Sequence, residues 1–359
     1  STMWSPGYIL TRHYTGFTVR DYIAEQYQIW KPRLLEGKDV SQLKVFSERI
    51  DYDQFPGREY WKNVVESLDG DSAHVSSEGA SEYGVKIRKE VVHRHLGLSL
   101  DKIFFADHSL SHACYAYYLT PPKFRHVDHL VLTMDAFGDN INYSARVFSS
   151  IGGAVTDRVI CQGNDFIIGR LYRYITLILG LKPNEHEYKV MGLAPYCKEQ
   201  YYDKLLERFK TFQEVEGTHF KFNNKPTDMY FSIREMLEGE RFDTICGALQ
   251  AYTEYLVIKW VKNLIKKTGI KKISLAGGVA MNVKANMLVA QIPEVDYVYI
   301  PPSPDDSSQS MGAAYAWLHK NTNENSSLLC QNYAPYQGRG VGSGGIKQIE
   351  ALITEQYQD

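Results

Sequence analysis

The sequence is short of what builds a disulfide framework, a membrane span or a nucleic-acid surface. Its five cysteines, Cys114, Cys161, Cys197, Cys246 and Cys330, are odd in number, widely spaced and free of any C-x-x-C pair. That argues against a disulfide scaffold and a zinc ribbon, and a reducing cytoplasm fits best. No apolar run approaches the roughly 18 residues needed to cross a bilayer, so no membrane association is expected. Ser1-Thr2-Met3-Trp4 has neither the basic nor the apolar stretch of a signal peptide. The formal net charge is only −2, with no long basic stretch. A dedicated DNA binder needs a concentrated basic surface to neutralise phosphates, and this chain has none to offer.

What is present is ordinary for a globular chain: 359 residues, 44% hydrophobic and 23% charged. That length suits two domains or one two-lobed domain. Residues 1–80 carry no strong strand signal, and a helix is expected over Glu82–Leu96. A short strand is expected at Lys102–Ala106, after which Asp107 reads as the N-cap of a helix through His108–Tyr118. His129–Met134, Tyr143–Ser149 and Asp157–Cys161 then read as a three-strand meander, its first two strands joined by a loop at Asp135–Asp139. Ile245, Leu249, Tyr252, Leu256, Trp260 and Leu264 step by three or four residues, which predicts one long helix over Asp243–Lys267 stopped by Gly269. Strand and helix alternate afterwards: Lys272–Ala276, Val279–Ala290, Asp296–Ile300 and Ser307–His319. Such alternation calls for a parallel sheet, whose ligands collect at the carboxyl ends of the strands. Gly277-Gly278 and Asp305-Asp306 both fall at that edge. The glycine-rich stretch Gly338–Gly345 reads as a linker, followed by a short helix at Ile346–Tyr357. Gly340, Gly342 and Gly345 match the G-x-G-x-x-G spacing, but no clear strand precedes them and no dinucleotide site is assigned there.

A few constellations could carry chemistry. His108 and His112 lie four apart on the expected helix, so both imidazoles project from one face, a spacing that suits two ligands on one metal ion. The bland reading is two independent polar histidines at a helix start. An aspartate from the Asp305-Asp306 loop would complete a two-histidine, one-carboxylate set suited to Fe(II) or Zn(II). Gly277-Gly278 lets backbone approach a ligand and point amides at an anion, or is simply a tight turn. Asn282 and Asn286 face the same way on the following helix. The Asp135-Ala136-Phe137-Gly138-Asp139 loop could hold a metal–phosphate group, or need no function at all. In the charged run from Glu185 to Tyr196, Lys189 could neutralise a phosphate and Glu187 could act on a proton, against the reading of a surface ion-pair cluster.

Taken in order, five segments resemble the NodU/CmcH-type carbamoyltransferases of the actin and sugar-kinase superfamily. They are Asp107–Ala113, Asp135–Asp139, Glu187–Tyr196, Ala276–Asn282 and Pro301–Ala314, the last placing Asp306 six residues before Gly312-Ala313-Ala314. The resemblance implies an α/β, two-lobed actin/sugar-kinase-like (ribonuclease H-like) fold with a mixed sheet. Residues 1–125 would form a helix-rich, incomplete first lobe. Residues 126–325 would form the nucleotide-binding second lobe with the three-strand meander, and 326–359 a linker toward an absent C-terminal domain. It implies transfer of a carbamoyl group, from carbamoyl phosphate by way of a carbamoyl-adenylate made with ATP, to a hydroxyl of a sugar or antibiotic-like small molecule. His108, His112 and Asp306 match the metal ligands, with Fe(II) or Zn(II) as the ion. Gly277, Gly278, Asn282, Gly138 and Asp139 match positions near the nucleotide. Asp135, Lys189 and Glu187 are the candidate catalytic groups.

Departures accompany the likeness. No His-Asp-Ser loop occurs in residues 1–40, where His13 sits in a different context, and the chain ends near Asp359, where the adenylate-forming domain would start. The expectation is therefore a piece of a longer enzyme that does not run the overall reaction alone, and that admits a homodimer without requiring one. Two other readings stay open: a tRNA threonylcarbamoyl-transferase-like enzyme, and a non-catalytic metal-binding module with the same fold.

Overall fold

The structure, a computed structural model, describes residues 96–321 apart from 126, 140, 152–153 and 227–228, together with 89, 92 and 93. Most of the helix expected at Glu82–Leu96, the linker, the helix at Ile346–Tyr357, His13 and Cys330 lie outside the described residues.

After a 3-10 turn at Leu100–Lys102 come α1 (His108–Leu119) and the short α2 (Pro122–Arg125). Three strands follow, β1 (His129–Gly138), β2 (Ile141–Ile151) and β3 (Ala154–Gly163), then α3 (Ile168–Ile178), α4 (Glu187–Leu193) and α5 (Glu199–Lys210). A hairpin of β4 (Gln213–Glu216) and β5 (His219–Phe222) leads to α6 (Met229–Leu237) and α7 (Phe242–Thr268). The chain closes with β6 (Lys272–Ala276), α8 (Val283–Ala290), β7 (Tyr297–Tyr299) and α9 (Gln309–Asn321).

Among the described residues the main sheet runs in the order β3-β2-β1-β6-β7. The meander is antiparallel, and β6 and β7 join it in parallel. The three-strand meander is the one the sequence pattern predicts, and the mixed sheet is the one the family resemblance implies. Its two faces are filled by alternate residues of β1, because side chains on a strand point to opposite sides in turn. Leu130, Leu132 and Met134 enter the larger core with Leu171 and Ile175 of α3 and Leu249, Leu256 and Trp260 of α7. Val131 enters the smaller core beneath α1 and α9, with Leu110, Tyr117 and Ala316.

The long helix is the best-read element. All six residues of its predicted stripe are buried, and Gly269 ends it in the left-handed conformation at φ 71°, its N–H donating to the Ile265 carbonyl. Elsewhere three expectations are corrected. Lys102–Ala106 is not a strand: no partner strand lies beside it among the described residues, and Phe104 and Phe105 are 64% and 42% exposed. An unpaired segment cannot satisfy its backbone as a strand. The helix expected over Val279–Ala290 is split, a 3-10 turn at Gly278–Met281 preceding α8, because the Asn282 side chain accepts from the Ala285 N–H and starts a new helix. The Asp135–Asp139 loop is largely strand: β1 runs on to Gly138, with its register against β2 shifting between Met134 and Gly138. No helix among the described residues is long and apolar enough to cross a membrane.

Candidate metal centre

The helix α1 begins at the site. Asp107 is its N-cap, the carboxylate accepting from the Leu110 N–H at 2.6 Å. One turn apart on α1, the His108 and His112 rings stand edge to face with centroids 4.8 Å apart. Both are buried. Asp135 reaches them from the irregular end of β1, just past Thr133, the last residue paired with β6. A bulge at a strand end re-aims side chains in this way. Asp306 arrives from the 3-10 turn Asp306–Ser308 that precedes α9. Its neighbour Asp305 is turned elsewhere, accepting from the Ser307 hydroxyl at 2.6 Å.

The four side chains converge. His108 Nε2 lies 2.8 Å from Asp135 Oδ2 and 3.3 Å from Asp306 Oδ1, and His112 Nε2 lies 3.4 Å and 3.2 Å from the same two atoms. All four donor atoms fall within 4.8 Å of one another. An ion holding N and O ligands at about 2.1 Å keeps neighbouring ligands about 3.0–3.4 Å apart, whether octahedral or tetrahedral. Three of the four observed separations fall in that range and the fourth, 2.8 Å, lies just below it, so a small shift of Asp135 would let the residues hold a small divalent ion. The buried Nδ1 of His112 has no hydrogen-bond partner, which leaves Nε2 as the atom that orients this ring. Access is from one side: the Asp306 side chain is 68% exposed, whereas that of His112 is 1% exposed.

The electrostatics point the same way. Burial alone would lower the His108 pKa, but hydrogen bonds to Asp135 and Asp306 outweigh it and hold it at about 9. His112 is raised by the same partners against still deeper burial. Burial would raise both carboxyls, yet the two imidazoles hold Asp135 and Asp306 below the ordinary carboxylate range. A pocket that stabilises two carboxylates side by side demands positive charge, from protons on the imidazoles or from a cation.

Around this centre the other expected residues divide. Gly277, at φ 87°, is where β6 turns; a Cβ there would come 2.2 Å from the Met134 carbonyl oxygen. Its own N–H is spent on the Pro304 carbonyl at 2.7 Å, so it contributes close approach rather than a free donor. A Cβ at Gly278 would stand 3.2 Å from Asp135 Oδ1, which makes the glycine turn and the metal centre contiguous. Gly138 lies under the His108 ring, and Asp139 accepts from the His108 N–H at 3.1 Å. Asn282 is buried and committed inward: its amide donates to Gln250 Oε1 and the Tyr172 hydroxyl while its oxygen accepts from Gln250 and Ala285. Asn286 donates to the Ala280 carbonyl. Glu187 and Lys189 sit on α4, outside the cluster. Glu187 accepts from the Asn184 N–H, and the Lys189 ammonium lies over the Tyr188 ring.

Sequence reasoning missed two things here. The sequence pattern sets Asp135 among the catalytic or nucleotide-side groups, whereas its carboxylate is a fourth potential donor in the cluster. The sequence shows Gly312 only as part of a motif, although a Cβ on it would strike the Ser111 backbone. For the first, the signal was an aspartate directly after an apolar strand; for the second, a glycine inside a helix.

Comparison with known proteins agrees with the residue pattern. The family model described as carbamoyltransferase N-terminus matches residues 35–315. An uncharacterised protein of Synechocystis, sll1178, is 28% identical over 237 residues, covering 62% of this chain and 37% of that protein. The nodulation protein NolNO of Sinorhizobium fredii is 28% identical over 217 residues, covering 59% of this chain and 31% of its own length. A tRNA N6-adenosine threonylcarbamoyltransferase of Christiangramia forsetii is 31% identical over 106 residues, covering 26% of this chain and 31% of that enzyme. The chain thus spans well under half the length of each of these relatives.

Proposed function

The chain belongs to the carbamoyltransferase N-terminal family, and on that premise we propose that it places a carbamoyl group on a hydroxyl of a sugar or antibiotic-like small molecule. The carbamoyl donor would be a carbamoyl-adenylate, formed from carbamoyl phosphate and ATP by an adenylate-forming domain outside this chain. The observation that carries the reading is the His108–His112–Asp135–Asp306 cluster set directly against the Gly277-Gly278 turn. Side chains that would hold a Lewis acid and a glycine turn that would admit an anionic ligand thereby lie next to each other.

His108, His112 and Asp306 would hold Fe(II) or Zn(II), with Asp135 as a fourth donor. The ion would supply polarisation of the carbamoyl carbonyl. Asp135, kept ionised by the two imidazoles, is suited to accept a hydrogen bond from an incoming hydroxyl and so to orient it. The 3-10 turn at Gly278–Met281 opens with amides that have no partner inside the turn, and these would face the nucleotide phosphate. Asp139 and Gly138 act one step back, fixing the start of α1 and the His108 ring. Asn282 would act through the hydrogen-bonded network that shapes the nucleotide side. Lys189 and Glu187 are assigned to the approach: α4 packs on α3, which in turn touches the 3-10 turn. The Lys189 ammonium, which lies over the Tyr188 ring, would be the charge offered to a phosphate. Cytoplasmic placement agrees with the unpaired cysteines Cys114, Cys161, Cys197 and Cys246.

The match to a tRNA threonylcarbamoyltransferase supports a second reading, in which the acceptor is a nucleic acid. The net charge of −2 weighs against it. Both are tested by supplying the chain with Zn(II) or Fe(II), ATP, labelled carbamoyl phosphate and a relative's adenylate-forming domain. Label is expected on a sugar acceptor, and His108→Ala should abolish it. Label on tRNA alone would select the second reading; no transfer to any acceptor, under conditions where the adenylate forms, would leave a metal-binding module.

A further inference from the structure

The helix α1, which carries His108 and His112, and α9, which follows directly on the turn that carries Asp306, lie side by side and run parallel. At one end the Gln309 side chain donates to the His108 carbonyl at 3.2 Å; at the other the Tyr118 hydroxyl meets His319 Nδ1 at 2.8 Å, and both pairs are 201 residues apart in sequence. Between these ends α9 touches α1 at Gly312. A Cβ on Gly312 would come 2.5 Å from the Ser111 carbonyl oxygen and 2.9 Å from its carbon, whereas real Cβ atoms essentially never approach within 3.0 Å. The obstacle is backbone, so no side chain can swing aside. Helix propensity alone would favour alanine at this position, so the glycine is explained by approach and not by the helix.

We infer that Gly312 sets the span of the metal centre by letting α9 approach α1 closely enough for Asp306 to face His108 and His112. A chain of contacts through His319 locks the far ends of the same pair. Tyr118 stacks on Tyr315 with centroids 5.6 Å apart. His319 Nε2 lies 3.0 Å from Asp157 Oδ1 on β3, and Asp157 accepts from Arg146 on β2 at 2.6 Å. This ties α9 to α1 and, through β3 and β2, to the sheet at once. Gly312 and His319 are positioning residues and touch neither ion nor substrate. Alanine at 312 would force the helices apart by about 0.5 Å, beyond the ±0.2 Å within which metal–ligand distances hold. The inference rests on the metal reading above, and the test separates the two.

The measurement is Zn(II) affinity of the full 359-residue chain, by competition with a chromophoric chelator, together with the visible absorption of the Co(II) form. Gly312→Ala is expected to bind Zn(II) roughly 10–100-fold more weakly, the range for groups that orient metal ligands. Its Co(II) band should change while melting stays cooperative. Ala316→Gly loosens the same helix without adding an atom, and should lower the melting temperature with affinity unchanged. His319→Gln removes the far lock without a clash; it should weaken Zn(II) by several-fold, and it decides the matter if Gly312→Ala does not fold. Unchanged affinity and an unchanged Co(II) spectrum in folded Gly312→Ala, or in His319→Gln where that variant decides, overturn the inference. So does an equal loss of affinity in Ala316→Gly. A wild-type chain that takes up neither ion overturns the metal reading itself, and this inference with it.

Discussion

Asp135 Oδ2 lies 2.8 Å from His108 Nε2, though 27 residues separate them in the chain. The contact joins the irregular end of the first strand to the first turn of the helix before it. The sheet's central strand is thereby coupled to the helix that carries both histidines. It also makes Asp135 a shared group, near enough to Asp306 to need a cation and near enough to the glycine turn to meet a substrate.

Metal uptake is the first consequence. The purified chain should hold close to one equivalent of iron or zinc by elemental analysis, and His108→Ala and His112→Ala should each be empty. Losing a direct ligand is expected to weaken binding by on the order of 100-fold or more, beyond the effect of outer groups. Because the ion binds only the folded site, adding Zn(II) at about 100 times its dissociation constant should stabilise the wild type by about 2.7 kcal/mol. Melting curves with and without Zn(II) check this, and equal shifts in wild type and both variants would place the ion elsewhere.

Gly138 makes a sharper demand. A Cβ there would sit 2.1 Å from His108 Cδ2, and the pairing of Gly138 with Ile141 of β2 resists retreat of the strand. Gly138→Ala should therefore displace the His108 ring, costing metal binding while leaving the sheet intact. Near-normal far-ultraviolet circular dichroism with lost Zn(II) uptake is the expected result; retained uptake would mean that β1, not the ring, gives way.

How far this centre was legible in the sequence depended on whether a contact is local. His108 and His112 were legible because helical period alone puts residues four apart on one face. Topology reaches the Asp305-Asp306 pair, since parallel strands send their loops to one edge, and the family resemblance singles out Asp306. The convergence of Asp135 was not legible, because a register shift in β1 aims its side chain and no local pattern announces a bulge. The strand misread at Lys102–Ala106 is the converse case: its apolar run is real, but a strand needs a neighbour. Asn282 shows a third limit, a polar residue read as facing ligand that is instead saturated by Gln250, Tyr172 and Ala285.

His129 predicts a first step of acid sensitivity. It is buried at the start of β1, its Nε2 2.7 Å from the Ser274 hydroxyl, and burial lowers its pKa from 6.5 to about 4. A base whose folded pKa is depressed contributes full stability above about pH 6.5, and that stability drains as pH falls toward 4. The difference corresponds to about 3 kcal/mol. Urea midpoints measured from pH 7 to pH 4 should fall steeply in the wild type and less steeply in His129→Gln; parallel curves would remove His129 as the cause.

Asp157 predicts a second step, lower on the scale and with a different partner set. A hydrogen bond from His319 and the Arg146 guanidinium hold its carboxyl at about 2, below the ordinary 3.8. The folded pKa of an acid is here depressed, so its contribution is complete above about pH 4 and lost as pH falls toward 2. Its size is about 2 kcal/mol, since the carboxylate is only partly exposed and each unit corresponds to about 1.4 kcal/mol. Asp157→Asn keeps the shape and removes the charge, so it should be less stable than wild type at pH 7 by about that amount. The gap should close as the pH is lowered toward 2. Urea titrations at pH 7 and pH 3 test both halves of the argument. A variant equal to wild type at pH 7 would show that the contacts of Asp157 with His319 and Arg146 contribute geometry without stability.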